Sequence, residues 1–278
     1  MLLHRSEDSE LEQARATTKR VARTFAIACR LLPRALRDDV YRLYLVFRTL
    51  DDLVDDADPR ALERIASVEA WSEGRPHMPS RETLALSDLA RRHALPRETI
   101  EDFCQGMRDD VRGPQIDSEA ELDVYCYRVA GTVGVVMAAV LGATDPAAPY
   151  HAVALGKAMQ RTNILRDIDE DLENGRVYLA RETLHAFGWG TVPPPTQRAT
   201  VLRDQIERAD ALYQEGLAGI VMLPHGRCAI SAAAAMYREI LRQIERDGYG
   251  VAPGRAVVPS TRKLVVAARA QVTPVRRA

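Results

Sequence analysis

Read for its polar and apolar positions, the chain is a succession of helices; strand-like alternation is scarce, and no repeat or low-complexity linker interrupts it. Polar and apolar residues mix from Glu10 to Cys29, and Pro33 marks a break. Val40, Leu43, Tyr44 and Phe47 then recur at helical spacing and predict a helix over 36–54, stopped or kinked at Asp58-Pro59. Ser80 is positioned to cap a helix reaching about His93, and Pro96 opens the next, which ends before Gly113-Pro114. Ser118 and Glu121 have the spacing of a capping box. The helix they start turns apolar on every side over 129–142, as expected of a central helix, and that window is too short to span a bilayer. Gly131 and Gly134 leave room there for a second helix or for a ligand. Asp145-Pro146 begins a helix that the pattern carries unbroken to Asn174-Gly175. A loop over 187–196 follows, with Thr196 as the cap of a helix reaching Tyr213 and Leu217. A helix over 227–246 and a short final one after Ser260 complete an all-α chain, predicted as one domain over residues 1–278.

Two acidic patches stand out within this pattern. In a helix, Asn163, Asp167 and Asp171 lie at steps of four and share one face, beside an apolar stripe of Ile164, Leu165, Ile168 and Leu172. Far upstream, F-R-T-L-D-D-L-V-D-D carries Arg48, Asp51, Asp52, Asp55 and Asp56, with Asp51 and Asp55 on one face. Taken singly, such a run is most simply a solvated surface, because like charges at this spacing cost a helix only roughly 0.2–0.5 kcal/mol per pair. Two of them, joined by the Asn163 amide and by Arg48 and Arg166, favour a second reading. Facing each other across a cavity, they would suit Mg²⁺, which takes a few carboxylates and completes its shell with water and substrate phosphate.

Composition narrows the choices. A chain of 278 residues with 46% hydrophobic residues can bury a sizeable core. Its net charge of -1 gives no electrostatic case for nucleic acid or for an anionic membrane, so attraction for an anionic substrate must be local. Cys29, Cys104, Cys126 and Cys228 are widely separated and read as reduced thiols of a cytoplasmic protein. The polar start, M-L-L-H-R-S-E-D-S-E, lacks the apolar core of a signal peptide, and the closing V-R-R-A is no membrane anchor. The histidines are scattered, each read as a surface or core residue, and no Ser-His-Asp or Cys-His arrangement is evident.

At this point the chain resembles the squalene and phytoene synthases, from Arg23 to Lys263. The resemblance rests on R-T-F then L-L-P (Arg23–Phe25, Leu31–Pro33), D-D-L-V-D (Asp51–Asp55) and Y-C-Y-R-V-A-G-T-V-G (Tyr125–Gly134). It continues with Q-R-T-N-I-L-R-D-I-D-E-D-L-E-N-G-R-V-Y-L (Gln160–Leu179), G-I-V-M-L-P (Gly219–Pro224) and the closing Y-G-V…R…S-x-x-K-L (Tyr249 to Leu264). It implies an isoprenoid-synthase helical bundle around a central cavity, binding prenyl diphosphates such as farnesyl or geranylgeranyl diphosphate through Mg²⁺. By matching positions, Asp51, Asp52 and Asp55 would form the first metal motif, and Asn163, Asp167 and Asp171 the second, with Gln160 lining the site. Arg23, Thr24, Arg48, Arg166, Tyr249, Arg255 and Lys263 match diphosphate contacts, and Tyr125 a tyrosine near the reacting centre.

The implied reaction joins two such molecules head to head, through a cyclopropylcarbinyl diphosphate that ionises a second time. Mg²⁺ and arginines would stabilise the leaving anion, and the apolar helix over 129–141 would keep water from the cation. NADPH use is open but not predicted, and no dinucleotide fingerprint follows a strand. No transmembrane segment is expected; peripheral membrane contact for product release is left open. Departures from the family pattern stand at Val21 and Ala22, at Val135, at Arg161 where an apolar residue is usual, and at Ala180 where proline is common. Two other readings remain: a single-substrate terpene cyclase on the same fold, and a non-catalytic helical scaffold.

Overall fold

A computed structural model describes residues 23–252 and 254–272, with side chains from Ala26 onward. Among the described residues there are thirteen α-helices and no strand. After α1 (Arg23–Cys29) comes α2 (Arg34–Asp55), which carries the first acidic patch. Next are α3 (Ala61–Ser72), α4 (Arg81–Ala90) and α5 (Arg97–Arg112). The α3 helix was not expected from sequence. No side chain caps its start, which is organised instead by Asp58 accepting a 2.8 Å bond from the Arg60 backbone N–H. The expected caps form at α4, where Ser80 accepts from Thr83, and at α6 (Glu119–Cys126), where Ser118 and Glu121 close a capping box.

A π-helical turn over Tyr127–Gly131 joins α6 to α7 (Thr132–Val140). Together they form one helix of 22 residues, Glu119–Val140. The apolar window read from sequence is therefore part of a helix long and apolar enough, by length and composition, to cross a membrane. Here its second half packs inside the bundle, where Val136 and Val140 are fully buried. It lies against α8 (Ala148–Arg166) at backbone distance: a Cβ on Gly134 would stand 2.4 Å from the Ala152 carbonyl oxygen, and one on Gly156 2.3 Å from that of Ala130. Gly134 thus meets the second helix at backbone distance.

The unbroken helix expected up to Asn174 is interrupted. Asp167, at φ -102° and ψ 10°, separates α8 from α9 (Ile168–Glu173). The break is local, because Asp167 N–H still bonds Asn163 C=O at 2.9 Å and Asp171 N–H bonds Asp167 C=O at 2.8 Å. Beyond it lie α10 (Arg181–Ala186), unforeseen in sequence, then α11 (Ala199–Ala218), α12 (Arg227–Arg246) and α13 (Ser260–Val272). Thr196 does not cap α11: a 3₁₀ turn over Pro195–Gln197 begins at the last of the three prolines, and the helix begins two residues later than expected.

The core has two main parts. One packs α2 to α5 against α7, around Leu43, Leu50, Ile65 and Leu86. The other packs α6, α8, α11 and α12 around Leu122, Tyr213 and Leu241. Arg161, 4% exposed, crosses the second part, and its two terminal nitrogens bond Glu119 (2.9 Å), Asp123 (2.7 Å) and Gln205 (3.0 Å), so partners on α6 and α11 hold its charged end, while its Nε is buried without a partner among the described residues.

Candidate active site

Between the two parts of the core lies a cavity of about 330 Å³. The α8 residues lining it are Ala148, His151, Ala152, Leu155, Gly156, Met159, Gln160 and Asn163. Their steps of three and four form one stripe down the helix. Val129, Ala130, Val133, Gly134, Met137, Ala138 and Leu141 form a matching stripe on the π-helical turn and α7. Phe47 and Phe103 close another wall, their rings edge to face at 4.6 Å. The interior is thus apolar, with His151 its one ionisable lining residue away from the mouth; the ring Nδ1–H donates to the Glu215 carbonyl at 2.7 Å. At the other end the lining turns polar, with Arg48, Asp51, Gln160 and Asn163.

The two acidic patches meet at this polar end. Arg48 donates to Asp51 at 2.8 Å and also pairs with Asp52. Arg176 donates to Asp55 at 3.0 Å. Asp167, at the helix break, is held by Arg166 at 2.6 Å and by Arg255 at 2.7 Å. Asn163 donates to Gln160 Oε1 at 3.2 Å. Desolvation, then the Asp55 carboxylate, pushes Asp51 up to about 6. Desolvation, then Asp167 and Glu170, pushes Asp171 up to about 7, and Asp55 adds to that effect from the opposite motif. The mouth therefore concentrates negative charge that its arginines do not fully balance.

Several residues at this end were not singled out as site residues in sequence. Asp110, on α5, accepts from the Tyr125 hydroxyl at 3.1 Å and from the Tyr178 hydroxyl at 3.4 Å, and those two rings stack at 5.2 Å. Burial pushes Asp110 up to about 7 against the Tyr125 bond, with Asp51 and Asp55 acting in the same direction as burial. Asp110 thus flanks the first motif from a third helix. Arg176 and Tyr178 lie in the quoted N-G-R-V-Y-L segment without having been singled out. Tyr44 and Tyr237 line the cavity beside Arg48 and Gln160. Conversely, Tyr249 and Lys263 are not among the lining residues. Tyr249, at φ 58°, lies under the Arg203 guanidinium at 4.6 Å, and Lys263 sits in the first turn of α13. Arg23 and Thr24 fall outside the residues whose side chains are described.

The donor set fits a hard divalent cation. The Asn163 side-chain oxygen is buried without a hydrogen-bond partner among the described residues, and Asp51 and Asp171 are held in surroundings that disfavour their charge. Among the described residues no three carboxylate, histidine or cysteine side chains converge tightly enough to enclose a cation alone. Mg²⁺ in general keeps several waters and shares substrate phosphate oxygens, so Asp51, Asn163 and Asp171 would supply only part of its shell.

The family model "Squalene/phytoene synthase" matches residues 18–262. The chain belongs to the squalene/phytoene synthase family. Among its relatives, the phytoene synthase of Thermus thermophilus is 40% identical over 234 residues, covering 81% of this chain and 80% of that protein. The 15-cis-phytoene synthase of Synechococcus elongatus is 35% identical over 278 residues, covering 91% and 89%. A dehydrosqualene synthase solved in complex with ligand superposes with a TM-score of 0.87 at 26% identity, covering 96% of this chain and 97% of that one. A squalene synthase, HpnC, of Alicyclobacillus acidocaldarius superposes at 0.74 with 25% identity, covering 88% and 96%. The isoprenoid-synthase fold expected from sequence is the fold found, and this family member is a prenyltransferase.

Proposed function

We propose that this enzyme joins two prenyl diphosphates head to head, through a cyclopropylcarbinyl diphosphate, in a Mg²⁺-dependent reaction. The observation that carries this reading is an apolar cavity capped at one end by two carboxylate motifs and arginines. The phytoene synthase relatives and the dehydrosqualene synthase superposition support it.

Asp51, Asp52, Asp55, Asn163, Asp167 and Asp171 would hold the cation, which when bound supplies Lewis-acid stabilisation of the leaving diphosphate. Arg48, Arg166, Arg176 and Arg255 already stand among these carboxylates. As the first allylic carbon–oxygen bond breaks, their N–H groups are available to the departing anion. The Val129-to-Leu141 and Ala148-to-Met159 walls exclude water from the cation, so it is captured by the second substrate's double bond. That coupling releases one proton and closes a cyclopropane ring, leaving the second diphosphate on the carbinyl carbon attached to it; its departure makes a second cation. Loss of a second proton then gives a hydrocarbon with twice the substrate's carbons, two diphosphates having left. This ending needs no external hydride, so NADPH is not required. We place the enzyme in the cytoplasm, with peripheral membrane contact as the route by which so apolar a product leaves.

The test is product mass. The purified enzyme is incubated with Mg²⁺ and farnesyl or geranylgeranyl diphosphate, separately, with and without NADPH. A doubled carbon count from at least one substrate, lost with chelator, is expected. A product with the substrate's own carbon count overturns the coupling and favours a cyclase. A product two hydrogens heavier, appearing only with NADPH, overturns the proton-loss ending.

A further inference from the structure

Which prenyl chain the cavity accepts depends on what closes its inner end; this inference rests on the reading that the cavity holds a prenyl tail. The α7 and α8 walls run antiparallel, and the contacts of Gly156 with Ala130 and of Gly134 with Ala152 fix their register. Continued by one turn, that register sets Ala138 opposite Ala148. Both alanines are buried and both line the cavity. Leu141, three residues past Ala138, and Leu223, next to the Pro224 ring that packs by Gly142, are buried and line the same cavity, and we take them as its floor.

Asn163, at the polar end, and Ala148 are fifteen positions apart on one helix (163 − 148), about 22 Å at 1.5 Å per residue. An extended isoprene unit adds four main-chain carbons, or roughly 5 Å at carbon–carbon bonds of about 1.5 Å. Three units therefore end about a turn and a half above the alanine pair, leaving apolar wall uncovered. Four units reach the pair and stop against the leucine floor. A larger side chain on either alanine would occupy the space of the last unit alone.

We propose that Ala138 and Ala148 form the length gate of this enzyme, their small side chains admitting a fourth isoprene unit, so that it selects a 20-carbon over a 15-carbon prenyl diphosphate. Selection arises because the fourth unit buries apolar surface that the shorter chain leaves in water.

The experiment measures binding rather than turnover. Farnesyl and geranylgeranyl thiodiphosphates, which resist ionisation, are titrated calorimetrically against the full-length enzyme with Mg²⁺. The wild type is expected to bind the 20-carbon analogue at least about tenfold more tightly. In Ala148→Leu and Ala138→Leu that preference should collapse or invert, with 15-carbon affinity kept, which also shows that the variants fold. Leu223→Ala, which lowers the floor, should newly accept a 25-carbon geranylfarnesyl analogue. An unchanged ratio in the alanine variants, with binding intact, overturns the gate while leaving the proposed reaction untouched. Parallel loss of both analogues in folded variants overturns it too, as a packing effect. Binding of neither analogue by the wild type overturns the gate together with the reading of the cavity, whereas a normal ratio without coupled product overturns only the proposed reaction.

Discussion

Asp51 and Asp167 have the same chemistry but different local supports. Asp51 stands within a continuous helix and Asp167 at a helix break, yet each is paired with arginine. Replacing either with asparagine keeps the volume and removes a charged ligand. Asp51→Asn and Asp167→Asn are each expected to lose product formation by orders of magnitude while the helical circular dichroism spectrum stays unchanged; near-normal activity in both would mean the patches are a solvated surface. Arg176→Ala tests the residue that spans towards Asp55 from the far side of the mouth. It should weaken diphosphate-analogue binding, as should Arg48→Ala and Arg166→Ala. Arg91→Ala, on the exposed end of α4, should not, and calorimetry on the four variants distinguishes these outcomes. Asp110 shows why part of this site was silent in sequence: it sits in an ordinary R-D-D-V-R run, and only tertiary packing brings it beside Tyr125, Tyr178 and the first motif.

At the scale of the elements, the helices that build the site were legible because their patterns are long and strong. The α2 stripe and the caps of α4 and α6 needed only local chemistry. The break at Asp167 was not legible, since Asn163, Asp167 and Asp171 continue a perfect step of four through it. What accompanies the break is a pair of arginines, one of them Arg255 from a segment 88 positions away. The α3 helix was missed for a related reason: its start is ordered by an Asp58–Arg60 contact rather than by a capping residue. The contact of α8 with the π-helical turn and α7 is an element-level feature with little slack. An added methyl at Gly156 would meet backbone atoms of Ala130 and Gly131 rather than a movable side chain. Gly156→Ala should therefore cost about 1–3 kcal/mol through overpacking, read as a melting temperature lower by several degrees. An unchanged melting curve would show that the two helices separate freely.

Across the whole molecule, a net charge of -1 conceals an uneven distribution: one end of an otherwise apolar cavity gathers carboxylates from α2, α5, the break at Asp167 and α9. Without a divalent cation, that gathering makes stability depend on pH, and the sign follows from linkage. Asp51 at about 6 and Asp171 at about 7 bind protons more tightly in the folded chain than their ordinary value of 3.8. Between that ordinary value and the raised ones, the folded state therefore holds more protons than the unfolded one, and stability falls as pH rises through the interval. Mg²⁺ bound by the same oxygens competes with those protons and supplies the missing positive charge, so its stabilising effect must grow as they leave. Thermal melts with Mg²⁺ and with chelator should thus show a small difference near about pH 5 and a larger one near about pH 8. Asp51→Asn should shrink the difference at the higher pH, because the substituted amide neither titrates nor carries charge to the cation. An Mg²⁺ effect that is equal at both pH values, or that survives intact in both Asp51→Asn and Asp167→Asn, would place the cation away from this mouth and remove the electrostatic basis for anchoring a diphosphate there.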